Sequence, residues 1–260
     1  MRFWGEAYDV TVNVPDWVSL ERHISGRLRR GDGFSLATVN LDHLVKLRAN
    51  DQFRDAYAAQ DLVVADGYPI VWMSKIAAQP VELIPGSDAI LPLVRIAAAH
   101  GKSIALVGST DAALAAAKAY LTREVPGTNV VATIAPPMGF DPTGASADTV
   151  LSALDAAKAD IAFLALGAPK QERFAAYGRT RLPTVGFVSI GAGLDFFAGT
   201  QVRAPKWVRA IAMEWLWRAA SQPFRLIPRY AKCFAILPVE IAHAMKLRFS
   251  GPSRTERSKP

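Results

Sequence analysis

The chain has one cysteine among its 260 residues, so neither a disulfide framework nor a thiolate metal cluster can be built. Its four histidines are scattered and no His-Glu-x-x-His occurs, which removes a common zinc-enzyme signature. No stretch approaches the roughly 18 uninterrupted apolar residues of a membrane-spanning helix. The start, MRFWGEAYDV, lacks the apolar segment of a signal peptide and reads as a mature cytosolic N-terminus. There is no G-x-x-x-x-G-K-[ST] phosphate loop and no G-x-S-x-G nucleophile elbow. Gly191 and Gly193 open a G-x-G, but Phe196 stands where the third glycine of a dinucleotide fingerprint belongs. No Asp-x-Asp occurs, so the usual acidic pair for holding a metal–diphosphate is missing. A phosphorylated ligand would have to be met by helix N-termini and by Arg or Lys.

What is present is apolar and unevenly charged. A hydrophobic content of 51% suffices for one large core, or for a core domain with an appendage. The net charge of +7 is not spread evenly: residues 201–260 carry 12 Lys and Arg against 3 Asp and Glu, while the first 200 residues are slightly acidic. A basic tail on an acidic body points to an anionic partner for the tail: nucleic acid, anionic lipid or a phosphorylated substrate.

Short apolar runs alternate with helical patterns. FSLAT (34–38), LVVA (62–65), SIALVG (103–108), NVVATI (129–134), IAFLAL (161–166) and TVGFVSIG (184–191) read as strands. DHLVKLR, the run from Ser87 to His100, DAALAAAKAYL and the segment Ala147 to Lys158 read as helices. The alternation predicts an α/β fold, a Rossmann-like, mostly parallel sheet with helices on both faces. Strand signals stop near Arg203, where Trp, Arg and Lys rise. We therefore expect a core over 1–202, a basic, Trp-rich helical appendage over 203–250 and a disordered tail over 251–260. Because all strand signals lie upstream, the core is expected to fold without the appendage.

Ligands of such sheets bind beyond the carboxyl ends of the strands. The strand exits are Thr38-Val39-Asn40, Asp66-Gly67, Gly108-Ser109-Thr110, Gly167 to Glu172, and Gly191 to Asp195. In the fourth, Ala-Pro-Lys-Gln-Glu follows a buried strand. Pro169 suits a helix first turn, and the next N–H groups, with the Lys170 and Gln171 side chains, are placed to meet an anion or simply to cap a helix. Asp66 has two readings from its position alone, a general base or a cap for the helix beginning near Pro69.

These exits, in this order, resemble the WecG/TagA/CpsF glycosyltransferases, also called glycosyltransferase family 26. TVNLDHLVKLR, VVADGYPIVW, IPGSD, FLALGAPKQE, GAGLDFFAG, RAPKW, EWLWR and PFRLIPRY carry the resemblance, over roughly residues 5 to 232. It implies an inverting sugar transfer from a UDP-sugar to a polyprenyl-diphosphate-linked acceptor, with no metal and no cofactor, in bacterial surface polysaccharide synthesis. It implies Asp66 as the catalytic base, and Thr38, Asn40, Gly108, Lys170, Gln171, Gly191 and Asp195 as pocket residues; from position alone Thr38 and Asn40 also read as helix caps, Asp195 as orienting its glycine-rich loop, Lys170 either way, and Glu172 as structural. It implies that at least one of Arg218, Arg225 and Arg229 swings over the pocket to bind the diphosphate, where the bland reading is a solvated basic surface. One departure stands out: an arginine is expected just before IPGSD, and Leu83 occupies that place.

In the tail, Val208, Ile211 and Trp215 fall at helical spacing, with Trp207 and Trp217 nearby. Indole and cationic side chains together fit a helix lying in an anionic membrane interface, and equally one packed on the core or on a second copy in a homo-oligomer. The expectation is a peripheral enzyme on the inner face of the cytoplasmic membrane, with no nucleic acid partner. The competing classes are a nucleic-acid-binding module using the basic tail, which the absence of a nucleic-acid-binding motif and the confinement of charge to one end disfavour, and a nicotinamide-dependent oxidoreductase, which the failed glycine fingerprint disfavours.

Overall fold

The computed structural model describes residues 1–5, 8–197, 199, 205, 216–217 and 223–250. A two-stranded antiparallel ribbon, β1 (Arg2–Trp4) and β2 (Asp9–Thr11), precedes helix α1 (Trp17–Arg30). Six strands then form one all-parallel sheet: β3 (Phe34–Val39), β4 (Leu62–Ala65), β5 (Ser103–Gly108), β6 (Asn129–Ile134), β7 (Ile161–Ala165) and β8 (Gly186–Ser189). Their order across the sheet is β4-β3-β8-β7-β5-β6, and every adjacent pair is parallel. The helices between them are α2 (Leu41–Ala49), α3 (Asp51–Ala58), α4 (Tyr68–Ile76), α5 (Gly86–Ala99), α6 (Asp111–Glu124), α7 (Ala145–Ala156), α8 (Lys170–Arg181) and α9 (Gly193–Phe197). After them comes α10 (Pro223–Ser250).

The strands read as unbroken apolar runs because both faces of the sheet are covered. Phe34, Leu36, Leu62, Val64, Ile104, Leu106, Phe163 and Val188 pack with α1, α5, α6 and α9. The alternate residues face the other way. Ala37, Val39, Val63 and Ala65 pack with α2, α3, α4 and α10, and Ala105, Val107, Ala162, Leu164 and Phe187 with α7 and α8. The fold is the Rossmann-like α/β architecture that the strand–helix alternation predicts.

This arrangement makes a crevice. β8 leaves onto the first face, into α9, while its neighbours β3 and β7 leave onto the second, into α2 and α8. Adjacent strands that exit in opposite directions open a gap at the carboxyl edge of a parallel sheet. The opposite edge is sealed by carboxylates: Asp61 accepts from the N–H and hydroxyl of Ser35, and Asp160 from those of Ser103.

Helix α10 is not a loose attachment. Over its 28 residues it carries Leu226, Cys233, Ile236, Glu240 and Ala244 on a buried face, packed on α2, α4 and β1. Glu240 is held by Arg48 at 2.7 Å and by the Tyr8 hydroxyl. Pro223 stands at its first position, where its missing N–H costs nothing, and the internal Pro228 and Pro238 fall on the exposed flank, where water can serve the carbonyls they leave without donors.

The expectation that the core folds without its tail therefore needs revision. Ending the chain at residue 222 uncovers the apolar faces of α2 and α4, and burial of that kind is worth about 1.5–3 kcal/mol per large side chain. We expect the truncated chain to melt roughly 10 °C lower or to precipitate, since each kcal/mol moves Tm by about 2–4 °C in a protein of this size. A truncated protein with an unchanged melting curve would show that α10 adds nothing to the core.

Candidate active site

The β3 and β4 exits are joined side by side. Asn40 is the N-cap of α2, its Oδ1 accepting the His43 N–H at 3.0 Å. Its Nδ2 donates to Oδ2 of Asp66 at 3.2 Å. Asn40 thus does two things at once: one end of the amide starts the helix, the other orients a carboxylate. The Asp66 N–H is itself anchored on the Val39 carbonyl at 2.8 Å. The N-cap position of α4 belongs to Gly67, whose φ of 99° suits only glycine. Asp66 is half-buried at the crevice.

Thr38, next to the end of β3, is buried. Its carbonyl accepts from the Tyr57 hydroxyl and lies 2.7 Å from Nδ1 of His43. Burial, with Lys46 nearby, pushes the His43 imidazole down to about 4. The ring is therefore neutral near pH 7, and its proton sits on Nδ1, because a carbonyl can only accept. His43 and Tyr57 brace the β3 exit from below; sequence reading passed over both, since a lone His in a helix carries no recognisable pattern.

The β7 and β8 exits are tied together by the Ala-Pro-Lys-Gln-Glu turn. Gln171 is buried, and its Oε1 accepts the Gly191 N–H at 3.0 Å. Since that acceptor must be oxygen, the amide nitrogen faces Glu172, donating to Oε1 at 2.8 Å. Gln171 thus acts first as a brace between two exits, with one amide hydrogen left over. Its own N–H goes to the Gly167 carbonyl at 3.1 Å and is not free to receive an anion. Glu172 is fully buried, and desolvation raises its carboxyl from 4.5 to about 7, against the Gln171 hydrogen bond and the nearby Lys46. Lys170 lies half-exposed at the start of α8.

On the other side of the crevice, Asp195 in the first turn of α9 accepts from the Ser109 hydroxyl, which joins the β8 exit to the β5 exit. Gly108 ends β5 with φ 113°, and a Cβ there would collide with the Ala165 carbonyl of β7. Only glycine lets the two strand ends come this close.

Of the appendage arginines, Arg229 reaches the crevice rim. Its Nε pairs with Oδ1 of Asp42 at 2.7 Å, and Asp42 also pairs with Lys46 at 2.8 Å. Lys46 Nζ donates in turn to the Ala168 carbonyl, at 3.0 Å. The Arg225 side chain lies outside the described residues, as do Arg218, Trp207, Val208, Ile211 and Trp215. Asp42 and Lys46 escaped sequence reading because their own i,i+4 pairing looks like any solvated helix pair, and their further partners are 187 and 122 positions away. Leu83 runs beside Ala65, to which the Ile84 N–H donates at 2.8 Å, so the missing arginine would have stood next to Asp66. Among the described residues, no three His, Cys, Asp or Glu side chains gather as a metal-binding group.

The polar exits, the Asn40–Asp66 pair and the Gln171 brace are carried by sequence blocks that match a known family. Residues 6–250 match the model of the glycosyl transferase WecG/TagA/CpsF family. The chain belongs to this family. A curated relative, the N-acetylglucosaminyldiphosphoundecaprenol N-acetyl-beta-D-mannosaminyltransferase of Bacillus subtilis (strain 168), is 27% identical over 231 residues, covering 85% of this chain and 86% of its own length. Within a WecG/TagA/CpsF glycosyltransferase, a half-buried carboxylate steadied by an amide at the crevice is suited to receive a proton from a sugar hydroxyl. Leu83 stands where an arginine is expected beside the β4 exit, and among the described residues the cations Lys46 and Arg229 lie along α2.

Proposed function

We propose that this protein is an inverting, metal-independent glycosyltransferase. It moves a hexose, an N-acetylhexosamine or its uronic acid from a UDP-sugar to a polyprenyl-diphosphate-linked acceptor, in the building of a bacterial surface polysaccharide. The observation that carries the reading is the Asn40–Asp66 pair, a carboxylate oriented at the carboxyl edge of a parallel sheet in a chain of this family. The Bacillus subtilis relative, named for its action on a sugar diphosphate of undecaprenol, supports the lipid-linked acceptor.

In this reading Asp66 takes the proton of the acceptor hydroxyl as its oxygen attacks the anomeric carbon. The bond from that carbon to the UDP phosphate oxygen breaks in the same step, which inverts the configuration and releases UDP. The negative charge of the diphosphate, present in the bound donor and carried over to the leaving UDP, is met by the cations at the rim, Arg229, Lys46 and Lys170, and by the appendage arginines Arg218 and Arg225. Thr38, Asn40 and the β8 exit at Gly191 and Asp195 enclose the sugar, Gly108 leaves room for the donor, and the remaining amide hydrogen of Gln171 serves a sugar or phosphate oxygen.

The outer face of α10 supports a place on the inner surface of the cytoplasmic membrane. Phe224, Ile227, Phe234, Val239, Met245 and Phe249 are exposed along it, with Lys232, Lys246 and Arg248 among them. The helix's one acid, Glu240, is turned inward. An apolar stripe flanked only by cations fits a helix lying in an anionic interface, and no helix among the described residues is long and apolar enough to cross the membrane.

The test is transfer from a panel of UDP-sugars to a lipid-diphosphate-linked acceptor in anionic vesicles with excess EDTA. We expect at least one sugar to transfer at a rate that EDTA leaves unchanged. Activity that vanishes with EDTA and returns with Mg²⁺ or Mn²⁺ would overturn the metal-free mechanism, and failure of every UDP-sugar would overturn the donor class.

A further inference from the structure

The first two turns of α2, with their cap, touch three separate parts of the molecule. Its cap, Asn40, holds Asp66 at the β4 exit. Two residues on, about 3 Å along the axis at 1.5 Å per residue, Asp42 holds Arg229 of α10. One turn further, Lys46 returns to Asp42 and reaches the Ala168 carbonyl at the β7 exit. Asp42 is the centre of this chain of contacts. Its side chain is only 11% exposed, yet it stays charged: burial works against ionisation, but Lys46 and Arg229 outweigh it and hold the carboxyl below its ordinary value. The N-terminal end of α2 favours a negative charge there as well.

Two cations sharing one buried carboxylate cannot both be neutralised by it. Arg229 engages Asp42 through Nε, and its side chain is 37% exposed. A guanidinium has five donor hydrogens in a planar fork, so one engaged through Nε can still present its outer N–H groups to a second anion. We propose that Asp42 is a positioning residue that couples α10 to the active site, holding the Arg229 guanidinium and the Lys46 ammonium at the rim so that both meet the phosphates of the substrate. The carboxylate fixes where the two cations sit before any ligand arrives, which spares the ordering cost of two long side chains on binding. The inference rests on the reading of Arg229 as a phosphate ligand.

The experiment is steady-state kinetics of Asp42→Asn, Arg229→Gln and the double variant, on UDP-sugar and lipid-diphosphate acceptor, with melting temperatures alongside. Asp42→Asn should raise KM for the substrate whose diphosphate Arg229 meets by about tenfold while kcat moves less than about threefold, because positioning is lost and the base is untouched. In the Arg229→Gln background the same change should cost clearly less than in the wild type, since only the share that runs through Lys46 remains. Asp42→Glu, which keeps the charge, should recover most of the lost KM. A general loss of stability would instead lower active-enzyme concentration and kcat, leaving KM alone. If Asp42→Asn does not fold, Asp42→Ser is measured in the same way.

Wild-type KM in a folded Asp42→Asn, or an equal KM penalty with and without Arg229, overturns the positioning role. If Arg229→Gln itself leaves both KM values unchanged, Arg229 is not a phosphate ligand, and that part of the functional reading falls together with the role of Asp42. If Arg229→Gln raises a KM and Asp42→Asn does not, only the inference drawn here fails.

Discussion

Replacing Asp66 by asparagine is expected to lower kcat by about 10²–10⁴-fold, the usual contribution of a general base. The substitution keeps the size of the side chain and its reach to Asn40, whose Nδ2 can donate to the new amide oxygen as it does to Oδ2 now. Donor affinity should hardly change, because the UDP phosphates are met by other groups. Melting temperature should hardly change either. Had Asp66 served only to cap α4, asparagine would cap about as well, and rate and stability would both stay put. The decisive measurement is turnover of Asp66→Asn together with its UDP affinity and melting temperature. Near-normal turnover removes Asp66 from the mechanism.

Stability should fall between about pH 5 and pH 7 on account of Glu172, and Glu172→Gln should abolish that fall. Burial raises this carboxyl from 4.5 to about 7 in the folded chain. In the unfolded chain it loses its proton near the ordinary value. Between the two the folded state binds more protons than the unfolded one, so stability drops as pH rises and stays lowered above about 7. For a fully buried group the loss is of the order of 3 kcal/mol. Glutamine keeps an acceptor for Gln171 and never ionises, so at pH 8 the variant should melt several degrees above the wild type. At pH 5 the two should nearly coincide. The carboxylates held below their usual range, Asp42 and Asp160, act in the opposite sense and only at more acidic pH. A gap between variant and wild type that is the same at pH 5 and pH 8 would mean that Glu172 does not titrate in this window.

The fold was legible from local pattern, and the reason is the buried parallel sheet. LVVA, SIALVG and NVVATI are strands with the bounds their apolar runs give, and DAALAAAKAYL starts its helix at Asp111 as read. The short β1–β2 ribbon and α3 were not legible. Three-residue strands carry too few positions for a period to show, and α3 packs through Phe53 and Tyr57 within a mostly polar segment. Much of the candidate site was legible too, in that each strand exit carries its own polar or glycine punctuation and ligands of such sheets collect there. The role of Gln171 was only half visible. Its identity could be read, but not that its amide oxygen is held by Gly191 and one amide hydrogen by Glu172.

By itself, the sequence determined the α/β class, the strands of the sheet, the five exits and the residues placed on them. It did so because burial on two faces and turns at strand ends are written in neighbouring residues. Only the tertiary structure decided which exits meet and what holds them. Asn40 and Asp66 are 26 positions apart and touch because β3 and β4 are adjacent. Asp42 and Arg229 are brought together by the packing of α10 on α2, and the depth that raises Glu172 comes from the helices around it. Pairings of this kind depend on the three-dimensional path of the chain. An isolated Asp, Arg or Glu has no local pattern that says which distant residue it will face.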